Sequence, residues 1–156
     1  MKHEDFMRKA IELSRDNISN GTGGPFGAVI VKNGKIIGQG TNKVTSSNDP
    51  TAHAEIVAIR DACKQASDFS LDGCEIYTSC EPCPMCLSAI YWARIEKIYY
   101  GNTRNDAAAI DFDDAFFYEQ VALPKDARTI ASIALLREEA LEAFKEWDNK
   151  EDKTKY

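Results

Sequence analysis

Residues 50–60 read Pro50-Thr51-Ala52-His53-Ala54-Glu55-Ile56-Val57-Ala58-Ile59-Arg60, and residues 82–86 read Pro82-Cys83-Pro84-Met85-Cys86. The two stretches decide the fold together, because each places metal-ligating side chains at the start of a helix. Ile56, Ile59 and Cys63 recur at helical spacing, which predicts a helix over 53–66 after the Asp49-Pro50-Thr51 turn. Pro84 suits the first position of a second helix, over 84–93, and that leaves Cys83 at its cap. There the positive end of the helix favours thiolate over thiol, and Cys86, three residues on, shares the same face. His53 and Glu55 are two apart, a spacing that diverges on a regular helix. They converge on one point only if His53 occupies the cap, before helical geometry begins.

Two thiolates and an imidazole suit zinc, which accepts the tetrahedral arrangement they impose. Three protein ligands leave a fourth position open to water. Two thiolates already offset the ion's charge, so a neighbouring base is useful, and Glu55 is the candidate. A rival reading adds Cys80 and closes a four-ligand site of the kind that holds folds together. It gives Glu55 no role and draws its fourth ligand from a strand end facing away from the helical pair. An iron–sulfur reading of Cys80, Cys83 and Cys86 lacks a later cysteine as fourth ligand. Cys63 and Cys74 read as small buried hydrophobes, and His3 as a solvated histidine.

Outward from these motifs, Phe6, Ala10, Leu13 and Asn17 follow helical spacing up to a stop at Asn20-Gly21. Residues 28–32 and 35–38 flank Asn33-Gly34, the two-residue loop favoured by tight hairpins. Residues 75–79, 97–101 and 129–134 read as strands. Residues 114–121 read as a short helix, and 137–148 as a terminal one with Leu141, Phe144 and Trp147 inward. The expected fold is α/β: a three-layer α/β/α domain over 1–156. Its mixed sheet has about five strands, with a hairpin of strands 1 and 2, parallel later strands and helices on both faces.

The 44% apolar and 28% charged composition is ordinary for a soluble domain. No apolar run approaches the roughly 18 residues of a membrane helix and no signal peptide opens the chain, so a cytoplasmic location is expected. Five cysteines in that setting read as thiols or metal ligands instead of disulfides. A net charge of −6 repels a nucleic-acid backbone, and a small soluble substrate fits better.

His-x-Glu followed by Pro-Cys-x-x-Cys is the signature of zinc-dependent nucleobase deaminases. The likeness extends to Gly24-Pro25-Phe26-Gly27-Ala28-Val29, Asn42, Asn48 through Glu55, and Ser79 through Cys86. Over nearly its whole length the chain resembles the cytidine deaminase superfamily with its fold, and most of all the small bacterial guanine deaminases. The resemblance implies one zinc per chain, held by His53, Cys83 and Cys86. Glu55 would pass protons while water attacks C2 of guanine; ammonia leaves and xanthine remains, a step of purine catabolism or salvage. It implies as well that Asp114 meets the amine end of the base, where an acceptor-only carboxylate faces guanine's N1 and N2 donors. Asn42 would read the purine, Phe26, Ala54 and Trp92 would bound the pocket, and the terminal Tyr156 would plug an active site in a homodimer.

Phe26 also reads as an ordinary core phenylalanine, and Asp111 and Asp113 as a solvated loop. Within the same fold the alternative is a tRNA-specific adenosine deaminase. Those enzymes need a basic surface for an anticodon arm, whereas the terminal helix here is rich in glutamate. A non-catalytic interaction domain built on a closed zinc site is the alternative outside the enzymes. The expected partners are a purine base and a second copy of the chain, with no nucleic acid and no membrane.

Overall fold

Asn33 and Gly34 both take positive φ, 50° and 74°, and so close the two-residue hairpin that joins β1 (Gly27–Lys32) to β2 (Lys35–Thr41). The computed structural model describes residues 2–156. The chain divides into two compact units, Met1–Tyr118 and Glu119–Tyr156. In the first, α1 (His3–Ser19) precedes the hairpin. After it come α2 (Val44–Ser47), α3 (Ala54–Ala66), β3 (Cys74–Cys80), α4 (Pro84–Trp92), β4 (Lys97–Asn102) and α5 (Arg104–Ala108), and α6 (Ala115–Ala122) begins near its end.

The sheet order is β2-β1-β3-β4. β1 is antiparallel to both neighbours and β4 is parallel to β3, so β2, β3 and β4 run one way and β1 the other. The carboxyl ends of three strands therefore share one edge of the sheet, and α3, α4 and α5 set out from it. Gly27 to Val31 are all buried, as a central strand covered on both faces requires. Alternate side chains of β1 take opposite sides. Ala28 and Ile30 join Ala54, Ala58 and Ala62 of α3 and Ile90 of α4; Val29 and Val31 pack with Phe6 of α1 and with Tyr77.

α3 lies unusually close to β2. A Cβ on Gly40 would stand 2.4 Å from the Ala54 carbonyl oxygen, and one on Gly38 2.6 Å from the Ala62 Cβ, so glycine at both positions admits the helix.

The α/β/α layering is as expected, with four strands among the described residues instead of about five. Residues 129–134 belong to the second unit and are irregular, with Ile130 and Ile133 81% and 86% exposed. That unit offers no strand edge among its described residues, and the Gln120 side chain takes the Thr129 N–H at 2.9 Å. Its other elements are a 3₁₀ turn, Lys125–Ala127, and α7 (Arg137–Asn149). Phe144 and Trp147 of α7 are exposed, contrary to their inward reading, because the unit holds no sheet against which an apolar stripe can pack.

His3 is exposed, in keeping with its solvated reading, but its ring has neighbours. α1 starts at this residue over the sheet, so its ring stacks on Tyr99 with centroids 4.8 Å apart and its Nδ1 hydrogen-bonds the Tyr77 hydroxyl. Among the described residues no helix is long and apolar enough to cross a membrane.

Candidate active site

Where β2 and β3 end, two helix caps face each other. His53 is the N-cap of α3, in extended geometry at φ −70° and ψ 157°; Cys83 is the N-cap of α4, at φ −69° and ψ 170°, with Pro84 next. His53 thus meets the geometric condition set by its two-residue spacing from Glu55. The turn before it is held by Asp49, whose carboxylate accepts from the Thr51 N–H at 2.9 Å and hydroxyl at 2.7 Å. Those bonds keep the Asp49 carboxyl below its usual range. The Lys43 N–H donates to the Ala52 carbonyl at 2.9 Å and ties the same turn to the end of β2.

His53 Nδ1 lies 3.6 Å from the Cys83 sulfur and 3.5 Å from the Cys86 sulfur. An ion about 2.3 Å from sulfur and about 2.0–2.1 Å from nitrogen, at tetrahedral angles, spans a sulfur–nitrogen edge of about 3.6 Å. Both sulfur–nitrogen distances stand at that spacing, all three donor atoms lie within 4.8 Å of one another, and the donor set suits zinc. Cys80 is not in the group: its sulfur turns to the Thr103 carbonyl, 3.8 Å away. Three ligands leave a coordination position open, so the four-ligand structural site does not form among the described residues.

The cluster is electrically prepared for a cation. Hydrogen bonds from Cys86 and His53 hold the Cys83 thiol down at about 4 in spite of burial, so it is a thiolate. That sulfur raises His53 in return. The Cys86 thiol is pushed up, chiefly by its hydrogen bond to Cys83 and then by burial. Glu55, in the first turn of α3, is only 7% exposed, and burial lifts its carboxyl to about 7.

A cavity of about 450 Å³ opens beside the trio, a size that admits a small ligand. Asn42 lines it and is 8% exposed; its Oδ1 accepts from the Val44 N–H at 3.1 Å, which assigns the amide and leaves the NH₂ end for a ligand. Phe26 forms a corner with Phe112, ring centroids 4.9 Å apart at 88°. Asp114 lines the far side, half-buried, with its carboxyl raised by burial. Asp111 and Asp113 are exposed on the rim, and Asp113 accepts from the Ala115 N–H at 2.9 Å at the start of α6.

One cavity therefore collects His53, Glu55, Cys83, Phe26, Asn42 and Asp114, with Cys86 fully buried beside it. Ala54 and Trp92, expected to bound the pocket, do not line this cavity. The Ala54 methyl points into the core beneath α3, and Trp92 stands at the opposite end of α4, 65% exposed. Tyr156 lies in the second unit and is 75% exposed. Cys80 also lines the cavity, while its sulfur stays out of the ligand group, in keeping with a strand end that faces away from the helical pair.

Two contributors are absent from the sequence-based set. Phe112 was hidden in an acidic run. Asn17, 1% exposed on α1, donates to the Gly24 carbonyl at 2.8 Å and the Asn42 carbonyl at 2.9 Å, and so holds the rim together. An asparagine on the buried stripe of an amphipathic helix was the available signal.

Residues 1–102 match the family model for the cytidine and deoxycytidylate deaminase zinc-binding region. Guanine deaminase of Bacillus subtilis (strain 168) is 51% identical over 156 residues, covering 100% of both chains. The X-ray structure of guanine deaminase from Bacillus subtilis matches with a TM-score of 0.97 over 100% of this chain and 99% of that one, at 51% identity. A solved guanine deaminase from Nitrosomonas europaea is 32% identical, with a TM-score of 0.69 over 93% of this chain and 84% of that one. The tRNA-specific adenosine deaminase of Aquifex aeolicus (strain VF5) is 42% identical over 100 residues, 64% of this chain and 66% of its own length.

Proposed function

The chain belongs to the cytidine and deoxycytidylate deaminase family, and from that membership we propose that it is a zinc-dependent guanine deaminase, a hydrolase that converts guanine and water to xanthine and ammonia. The observation that carries the chemistry is the pairing, in one cavity, of an open three-ligand site with the buried carboxylate of Glu55. Likeness over the whole chain to a guanine deaminase selects the base.

Zinc, when bound by His53, Cys83 and Cys86, supplies an electrophilic centre that acidifies water at its open position. Glu55 takes the proton released as water adds to C2 of guanine and delivers it to the exocyclic nitrogen, which leaves as ammonia. A carboxyl lifted to about 7 by burial serves as base and acid in turn near neutral pH. The Asn42 NH₂ donates to an acceptor of the purine, and Asp114 accepts from the N1 and N2 donors. The Phe26–Phe112 corner offers an apolar wall to the flat ring and keeps bulk water from it. The protein acts on a free base as a single deaminase domain over 1–156, in the cytoplasm, as a homodimer without nucleic acid; its net charge of −6 supports that choice.

The test is ammonia release from guanine, adenine, cytosine, cytidine and a tRNA anticodon stem by zinc-loaded protein. Xanthine from guanine is expected, and inosine in the tRNA would overturn the reading. Glu55→Gln should retain zinc and lose about 10²- to 10⁴-fold in turnover; full activity in that variant would remove Glu55 as the base.

A further inference from the structure

The helix that begins beside Asp114 is fastened to the loop that carries the cysteines. Tyr118 donates its hydroxyl to the Pro82 carbonyl at 2.7 Å, and Pro82 immediately precedes Cys83. The Tyr118 N–H donates to the Asp114 carbonyl at 3.1 Å, so one residue of α6 grips both Asp114 and the metal-ligand loop. Its ring is covered by the Arg104 guanidinium, 4.5 Å from the centroid. The Arg104 N–H in turn donates to the Glu81 carboxylate at 3.0 Å, and the Glu81 N–H to the Asn102 carbonyl at 2.8 Å. Residues 81–83 are thus braced from β4 and α5, and Tyr118 extends the brace to α6. Among the described residues, 111–114 are otherwise hydrogen-bonded only locally, to residues 107 and 108 and to the first turn of α6, where the Ala115 N–H donates to Asp113 and the Phe117 N–H to the Asp114 carbonyl at 3.0 Å.

We propose that Tyr118 is a positioning residue for deamination: its hydroxyl fixes Asp114 at a set distance from the Cys83–Cys86 pair, so the carboxylate meets the amine end of a base whose reacting carbon lies over the metal site. The proposal rests on the guanine deaminase reading and on the role of Asp114 within it. Tyr118 touches neither the base nor the ligand atoms. It acts through Asp114.

Tyr118→Phe keeps the ring under Arg104 and removes only the hydroxyl. Zinc content and steady-state kinetics with guanine are measured for this variant, for Asp114→Asn and for the double variant. The affinity for 8-azaguanine is measured by calorimetry in a Glu55→Gln background, where turnover does not interfere. The expected result is full zinc occupancy, with kcat/KM and 8-azaguanine affinity both lowered about three- to tenfold, the worth of one net hydrogen bond. Adding Tyr118→Phe to Asp114→Asn should cause no further loss. Losses that multiply in the double variant overturn the proposal, as does loss of zinc in step with activity. Wild-type protein that releases no ammonia from guanine refutes the guanine reading instead, and the affinity cycle still decides the positioning role.

Discussion

Gly40→Ala adds one methyl group where α3 meets the sheet. Its Cβ would stand 2.4 Å from the Ala54 carbonyl oxygen and 2.5 Å from the Ala58 nitrogen, whereas ordinary contact begins at 3.4 Å. Both obstructing atoms are backbone, so no rotamer relieves the overlap, and the first turn of α3 must retreat by about 1 Å. Ala54 lies between His53 and Glu55, so ligand and base both move while Cys83 and Cys86, on α4, stay. The sulfur–nitrogen edges, now 3.5 and 3.6 Å, then change by up to about 1 Å and no longer match the span of one ion. A misplacement of that size costs on the order of 10²-fold in rate, and overpacking destabilises by about 1–3 kcal/mol.

Gly38→Ala is the internal control. It drives the same methyl into Ala62, toward the other end of α3, at 2.6 Å. Its stability loss should be similar and its effect on the first turn smaller. Thermal unfolding, zinc stoichiometry and kcat/KM for guanine, measured on both variants, separate the two effects. Wild-type kcat/KM in Gly40→Ala, or equal activity losses at matched unfolding temperatures, would refute the view that the glycine face of β2 sets the position of His53 and Glu55.

Two further outcomes follow from the cavity and the chain end. Burial raises the Asp114 carboxyl above its ordinary value of 3.8, so the native chain binds more protons than the unfolded one between those two values, and stability falls as pH rises through them. Asp114→Asn should therefore unfold at a higher temperature than wild type at neutral pH, with the gain shrinking below pH 3.8, while kcat/KM for guanine drops; an unfolding temperature equal to wild type at both pH values contradicts the burial argument. Deleting Tyr156 should raise the KM for guanine more than it lowers kcat in steady-state assays, and an unchanged KM excludes the residue from substrate binding.

The metal site is legible in the chain because its signals are local. A histidine two residues before a glutamate, and a cysteine directly before a proline, each state how a helix must begin. The Asn33-Gly34 hairpin is local in the same way, and so is the strand alternation that sends Ala28 and Val29 to opposite layers. Contacts made by the order of the strands are not. Tyr118 and Pro82 are 36 residues apart and meet because β4 lies beside β3, which hydrophobic patterning does not encode.

Gly38 and Gly40 stand between these cases, since two glycines on one face of a strand mark a place where another backbone comes close. Residues 129–134 fail as a strand for a different reason. β-Branched residues fit a pleated surface, but whether an edge is within reach is a property of the whole fold.

His53 and Cys83 are 30 residues apart, and the chain between them runs out along α3 and back through β3. An ion shared by the two caps is a removable cross-link across that excursion. An unfolded chain that tried to keep the ion would surrender on the order of 3 kcal/mol of entropy in closing the loop, so the metal partitions to the folded form and holds it there. Metal supply is then also a determinant of lifetime. In a cell starved of zinc the protein would be not only idle but shorter-lived.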